Sequence, residues 1–255
     1  MEITQITLRK GFDAHVHFRD GDTLAQVLPS TMNWCHAAIA MPNLVPPVTK
    51  VAEAIAYRDR ILKAVPAGHT FTPLMTCYLT DETSPEEIRL GFRGNQTEDR
   101  VWVAAKLYPA HATTNSAHGV TDVENIYPAL KVMQDIGMPL LIHGEMLRGP
   151  DGKDVDIFDR ESMFIEHVLT KILVDFPELP IVFEHVSTAY GASFIRAQFE
   201  SGRKDIAATI TPHHLVWTRN DLFRGGLRPD LWCLPVVKTD KDREMLRQAA
   251  TSGLP

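Results

Sequence analysis

Val101-Trp102-Val103-Ala104-Ala105-Lys106-Leu107-Tyr108 is a short apolar run that carries a lysine near its end. Alternation places Val103, Ala105 and Leu107 on one face of a strand and Trp102, Ala104 and Lys106 on the other. Six further runs of this kind lie near residues 12–17, 37–41, 70–79, 139–143, 181–185 and 207–211. Helical periodicity fills most of the intervals, at 51–64, 85–90, 123–136, 160–174 and 189–200, and a last helix is predicted near 240–250. Strand and helix in turn is the pattern of βα units on a parallel sheet.

Polar residues gather where these strands end: Met41-Pro42-Asn43, His143-Gly144-Glu145 and Glu184-His185-Val186-Ser187-Thr188. In a TIM (β/α)8 barrel the chemistry is built at the C-terminal strand ends, so the placement favours an α/β barrel over an open doubly wound sheet. No GxGxxG follows the first strand. One domain over residues 1–255 is predicted, without repeats or a linker. A closed barrel needs eight strands, yet after the seventh only a loop and a helix remain. The expectation is an incomplete barrel lacking strand eight, with exposed edges on strands one and seven that favour aggregation or a molten state.

Composition narrows the function. The 255 residues are 44% hydrophobic and 23% charged, as expected for a chain with a sizeable core. A net charge of -6 and the lack of a long basic run argue against nucleic acid as a partner. Residues 1–10 show no apolar signal core, and no apolar stretch approaches the ~18 residues of a membrane span. A cytoplasmic location is expected. Cys35, Cys77 and Cys233 are odd in number and far apart, which predicts core thiols rather than disulfides.

His15 and His17 stand two apart in Phe12-Asp13-Ala14-His15-Val16-His17, so on a strand both imidazoles and Asp13 share a face. By itself the tripeptide reads equally as a pair of hydrogen-bonded histidines, since a metal site needs further ligands. Lys106, if it points into the barrel, is desolvated and biased towards the neutral amine, which can capture carbon dioxide. The resulting carbamate has two oxygens, enough to span two divalent cations roughly 3.5–4 Å apart. A lysine snorkelling to solvent is the other reading. His143 and His185 each close an apolar strand. Taken jointly, four histidines and a lysine at the ends of strands one, four, five and six predict a binuclear metal site. His36, His69 and His167 are read as structural, as are His213 and His214, although the last two follow strand seven at the active end. Residues 238–243 are read as a solvated helix start.

The order of motifs resembles dihydroorotase of the shorter bacterial type, within the amidohydrolase superfamily: His15-Val16-His17, then Met41-Pro42-Asn43-Leu44, then Ala104-Ala105-Lys106-Leu107-Tyr108-Pro109, His143-Gly144-Glu145 and Phe183-Glu184-His185. His17-Phe18-Arg19-Asp20, Ala112-Thr113-Thr114-Asn115-Ser116 and Trp232-Cys233-Leu234-Pro235 add to it. The resemblance implies two zinc ions, one on His15 and His17 and the other on His143 and His185, bridged by Lys106 carboxylated with carbon dioxide. It also implies that Arg19 and Asn43 hold a substrate carboxylate, in keeping with the forked donors of arginine. Thr113 and Thr114 would sit on a lid loop over the substrate, and the Leu234 backbone would touch its ring. The implied reaction is the reversible cyclisation of N-carbamoyl-L-aspartate to dihydroorotate in pyrimidine biosynthesis, by a homodimer acting on this small molecule.

One residue does not carry over. The family's acid/base aspartate lies at the end of strand eight, so no catalytic residue can be named before Pro255. The expectation is therefore a truncated product or partial record of a longer enzyme, inactive as it stands. Two other readings stay open: a non-catalytic pseudoenzyme or partner subunit that keeps a metal site, and a hydantoinase-like cyclic amidohydrolase. Arg19 with Asn43 favours dihydroorotate, because neutral cyclic imides need no carboxylate holder.

Overall fold

Every one of the seven predicted strands forms, and their order along the sheet is their order in the chain, β1-β2-β3-β4-β5-β6-β7, all parallel. The computed structural model describes residues 7–93 and 100–254; residues 1–6 of the N-terminal stretch read above, and residue 255, lie outside the described residues. The strands are β1 (Gly11–Val16), β2 (Cys35–Ala40), β3 (Thr72–Tyr78), β4 (Trp102–Leu107), β5 (Leu140–Ile142), β6 (Ile181–Phe183) and β7 (Ile206–Ala208). Among the described residues β1 and β7 are the outer strands of the sheet, and no eighth strand pairs with either.

Helices follow the strands because their apolar stripes need the sheet. In α1 (Gly21–Met32), Leu24, Leu28 and Met32 recur at four-residue spacing and are buried, each burial contributing roughly 1.5–3 kcal/mol. Asp20 starts this helix by accepting from the Gly21 N–H. α1, whose interior holds Pro29, is not among the helices that periodicity predicts. In α2 (Val51–Ala64) the buried stripe is Ala54, Tyr57 and Ile61. Next come α3 (Pro85–Gly91) and α4 (Tyr127–Ile136), the latter entered through a 3-10 turn at Val123–Ile126. The predicted 160–174 helix is present as α5 (Arg160–Phe164), a π-helical turn at Ile165–Leu169 and α6 (Thr170–Asp175). α7 (Ala189–Glu200), the short α8 (Pro212–Val216) and α9 (Asp240–Ala250) complete the set. None of the described helices is long and apolar enough to cross a membrane.

The large apolar core lies between the helices and one sheet face; a small cluster of Met41, Ala104 and Leu141, flanked by Ile39, Val103 and Val182, fills the other. Trp102 and Val103 both depart from the faces that alternation assigned: Val103 flanks Ala104 on the small-cluster face instead of joining Ala105 and Leu107, and Trp102 takes the other side. It packs in the large core against α3, not beside Ala104 and Lys106, because the β3–β4 register slips between Met75 and Thr76. A bulge of one residue moves a side chain to the opposite face. Gly91 accepts this indole: a Cβ there would lie 1.8 Å from it.

Two other expectations change. Cys233 is exposed and only Cys77 is fully buried, with Cys35 between them, so the three are not uniformly core thiols. Lys238 is buried rather than solvated, its ammonium donating to the Val236 carbonyl. The segment it begins is fastened at Asp242, which closes a capping box on Thr239 and accepts from the Ala189 N–H at 2.8 Å.

Candidate active site

Because all seven strands run the same way, their C-terminal ends share one rim. His15 is on β1 and His17 one residue beyond it; Lys106 is on β4; His143 and His185 follow β5 and β6 by one and two residues. The four imidazoles are contiguous, with ring centroids 4.9 Å apart for His15–His17, 5.2 Å for His15–His185 and 4.8 Å for His143–His185. Lys106 is fully buried and its ammonium is paired with Glu184. His185 (φ 44°) and Arg19 (φ 60°) have left-handed backbones that non-glycine residues seldom adopt, a strain found most often at functional sites.

Proton bookkeeping shows what these rings lack. His15 Nδ1 faces Glu184 Oε1 at 2.9 Å and His17 Nδ1 faces Asn43 Oδ1 at 2.8 Å. The amide of Asn43 is oriented by its Nδ2 donating to the Thr114 carbonyl at 2.9 Å, so Oδ1 is the atom turned to His17. Both partners are acceptors, hence both Nδ1 atoms carry the proton. The two Nε2 lone pairs then confront one another at 3.1 Å. Burial, followed by His15 and Arg19, holds His17 well below the ordinary imidazole range, which disfavours a proton between them. A divalent cation answers both lone pairs.

The second pair has the same deficit. His143 Nε2 donates to Glu145 Oε2 at 2.8 Å, leaving its Nδ1 3.2 Å from His185 Nε2. His185 Nδ1 is buried without a partner among the described residues. Whichever nitrogen of His185 holds the proton, one buried polar atom stays unpaired, a costly arrangement unless a cation completes it. The donor set therefore fits metal at both histidine pairs.

Glu184 is the residue that sequence reading missed. Burial alone would raise its carboxyl, but the Lys106 and His15 charges and hydrogen bonds outweigh that and hold it at about 2. Burial in turn pulls the Lys106 ammonium below its ordinary value, against the opposing effect of Glu184. Glu184 also groups with His15 and His185, one ligand atom of each lying within 4.8 Å of the others. The available signal was only its place directly before His185. Glu161 was missed too: its buried carboxylate accepts from the N–H and hydroxyl of both Ser187 and Thr188, clamping the turn just after His185.

All of the predicted substrate contacts border one cavity of ≈ 320 Å³ over the histidines: Arg19, Asn43, Thr113, Thr114 and Leu234. Such a volume suits a small molecule. Asn43 binds His17 with one end of its amide and the 109–120 loop with the other, and Asn115 Nδ2 donates back to the Asn43 carbonyl at 3.0 Å. The loop base is fastened by a Pro109–Val120 bridge. His213 and His214 also reach the cavity wall. Asp20 pairs with Arg60, leaving Arg19 Nη1 directed at the Asn43 carbonyl, 3.4 Å away.

His214 sits between Thr211 Oγ1 (2.6 Å) and the Pro235 carbonyl (3.0 Å), tying β7 to the loop of Leu234. Burial, then His213, lowers its imidazole to about 3. The unfolded chain takes up that proton near pH ~6.5, so the stability owed to neutral His214 is whole above that pH and drains away as pH falls towards 3. Urea melts should show a shallower acid-side decline for His214→Gln than for the parent chain. Equal slopes would contradict this account of His214.

Four histidines and a buried lysine on the rim of a parallel βα sheet are the hallmark of an amidohydrolase-type barrel. The chain is 56% identical over 248 residues to dihydroorotase of Novosphingobium aromaticivorans, covering 97% of this chain and 68% of that protein. Crystal structures of dihydroorotases from Campylobacter jejuni (TM-score 0.83, 35% identity) and from Saccharomyces cerevisiae with 5-fluoroorotic acid (TM-score 0.85, 33% identity) superpose on 96% and 95% of it. No family model matches the chain. It belongs to the dihydroorotase family of cyclic amidohydrolases, and spans about two thirds of the length of these relatives, 66% of each crystallised chain.

Proposed function

We propose that the protein is a zinc-dependent dihydroorotase that interconverts N-carbamoyl-L-aspartate and dihydroorotate in pyrimidine biosynthesis. The observation that carries the reading is the convergence of four imidazoles with Arg19 and Asn43 at one cavity, with Lys106 fully buried and paired with Glu184 beside His15. His15 and His17 would hold one zinc ion, His143 and His185 the other, with Lys106 between them as the carbamate formed with carbon dioxide. When bound, the two ions supply Lewis acidity and a water of lowered pKa. The chain's own residues do the positioning. Glu184 and Asn43 fix the tautomers of His15 and His17, and Glu145 fixes that of His143. Arg19 and Asn43 receive the substrate carboxylate, Thr113 and Thr114 face it from the loop, and the Leu234 backbone borders the ring.

Residues 1–255 then form one domain of the metal-dependent (β/α)8 barrel type, cytoplasmic and dimeric by family resemblance. None of the described residues supplies the family's strand-eight aspartate. A polypeptide of these 255 residues is accordingly expected to bind metal and dihydroorotate while turning over about 10²- to 10⁴-fold more slowly than a full-length dihydroorotase. Metal analysis, calorimetric titration with dihydroorotate and a ring-opening assay on that polypeptide test the reading. Two metal ions per chain and saturable binding support it; absence of either defeats it, and a full-length rate would defeat the slow-turnover part.

A further inference from the structure

Two residues on the wall of the cavity have a buried polar atom with no partner among the described residues: His185, already placed as a metal ligand, and Tyr108. Tyr108 directly follows β4 and is only 1% exposed. Its ring is fixed on several sides: Tyr78 at 5.2 Å and His143 at 6.1 Å between centroids, and the Lys106 Nζ 5.0 Å from its centre. Its carbonyl accepts from the Val120 N–H at 2.8 Å. The phenol therefore cannot swing to find a partner, and a hydroxyl buried unpaired destabilises the free protein. On the wall of a cavity, such a group is open to completion by a bound ligand. A phenol hydroxyl is a hydrogen-bond donor, and this one faces the cavity without having spent its proton on a described residue.

Its neighbours locate the oxygen it serves. His143 on the cavity wall, and Lys106 buried against the Tyr108 ring, belong to the proposed metal end, whereas Arg19 and Asn43 take the carboxylate. We propose that Tyr108 is a further catalytic residue, whose hydroxyl donates a hydrogen bond to the carbonyl oxygen of the cyclic amide as that oxygen gains charge during ring opening. The assignment rests on the dihydroorotase reading. In the step it serves, the oxygen of water bonds to the carbonyl carbon, the C–N bond breaks, and the nitrogen takes up a proton originating from that water. Tyr108 keeps its own proton; its hydrogen bond strengthens while the C=O electron pair resides on oxygen and relaxes when the double bond re-forms.

The test is Tyr108→Phe, which preserves the ring and its packing. Two changes of opposite sense are expected: the ligand-free melting temperature rises by about 2–4 °C, because an unpaired buried hydroxyl is gone, and kcat for ring opening falls about 10²-fold with KM little changed. A residue that merely fills space would move neither in this way. If the parent chain opens dihydroorotate and the variant matches its kcat, or if the ligand-free melting temperature falls, the Tyr108 assignment is wrong while the dihydroorotase reading stands. If the parent chain neither opens dihydroorotate nor is stabilised by it, both are wrong.

Discussion

Lys106→Met is expected to cost the folded protein about 3–5 kcal/mol, although methionine fills nearly the same space. The loss arises from the group left behind. Glu184 is wholly buried, and with the lysine removed the His15 Nδ1–H is the one group among the described residues that still answers its carboxylate. A buried charge stripped of its partner keeps its desolvation penalty without the compensating attraction. Adding Glu184→Gln to the same chain should recover most of the stability, since exchanging both members of a buried pair for neutral groups is often nearly neutral. Metal binding should not recover. The double variant still lacks the amine that would become the bridging carbamate, and His15 has lost the carboxylate that sets its tautomer. Urea melts with metal analysis on the parent and the two variants separate the effects. Stability that stays low in the double variant would show that Lys106 acts by packing alone, and two tightly held metal ions in either Lys106 variant would remove the carbamate from the proposed site.

Arg19→Met should weaken dihydroorotate binding by about 2–5 kcal/mol, at least about 30-fold in Kd, and leave hydantoin affected far less. A half-buried guanidinium at the cavity wall, pointing at the Asn43 carbonyl over a 3.4 Å gap, is placed to meet a carboxylate with charge-assisted hydrogen bonds. A neutral cyclic imide has no group of that charge to offer. The φ of 60° belongs to the chain path at this turn, and methionine inherits it, so the comparison isolates the charge. Calorimetric titrations with both ligands decide the matter: an equal loss for the two would mean that Arg19 shapes the cavity generally, and an unchanged Kd for dihydroorotate would remove Arg19 from the carboxylate site.

Much of this could be read along the chain because strand and helix alternate. Once β1, β4, β5 and β6 are known to be parallel, their C-terminal ends must meet, and His15, His17, Lys106, His143 and His185 are brought together by topology alone. The same logic put Asn43 and the 109–120 loop on that rim. What it could not supply were pairings across long sequence separation. Glu184 is 169 residues from His15 and 78 from Lys106, and nothing local to any of them announces the other two. Glu161 reaches Ser187 and Thr188 only because α5 packs against the turn after β6. Trp102 left the face assigned by alternation when one slip of register between β3 and β4 intervened.

The sequence by itself thus determined the element order, the end of the sheet at which chemistry gathers, and the identity of the candidate ligands. Only the tertiary structure decided protonation and direction: which imidazole nitrogen carries its proton, which oxygen of Asn43 or Glu184 it faces, and which hydroxyl is left without a partner. Periodicity is a property of neighbours in the chain, where side-chain size and polarity suffice to choose a strand or a helix. Hydrogen bonding in a buried site depends on distances and orientations of a few tenths of an ångström between residues far apart in the chain, and these exist only once the sheet has curled and its loops have closed over it.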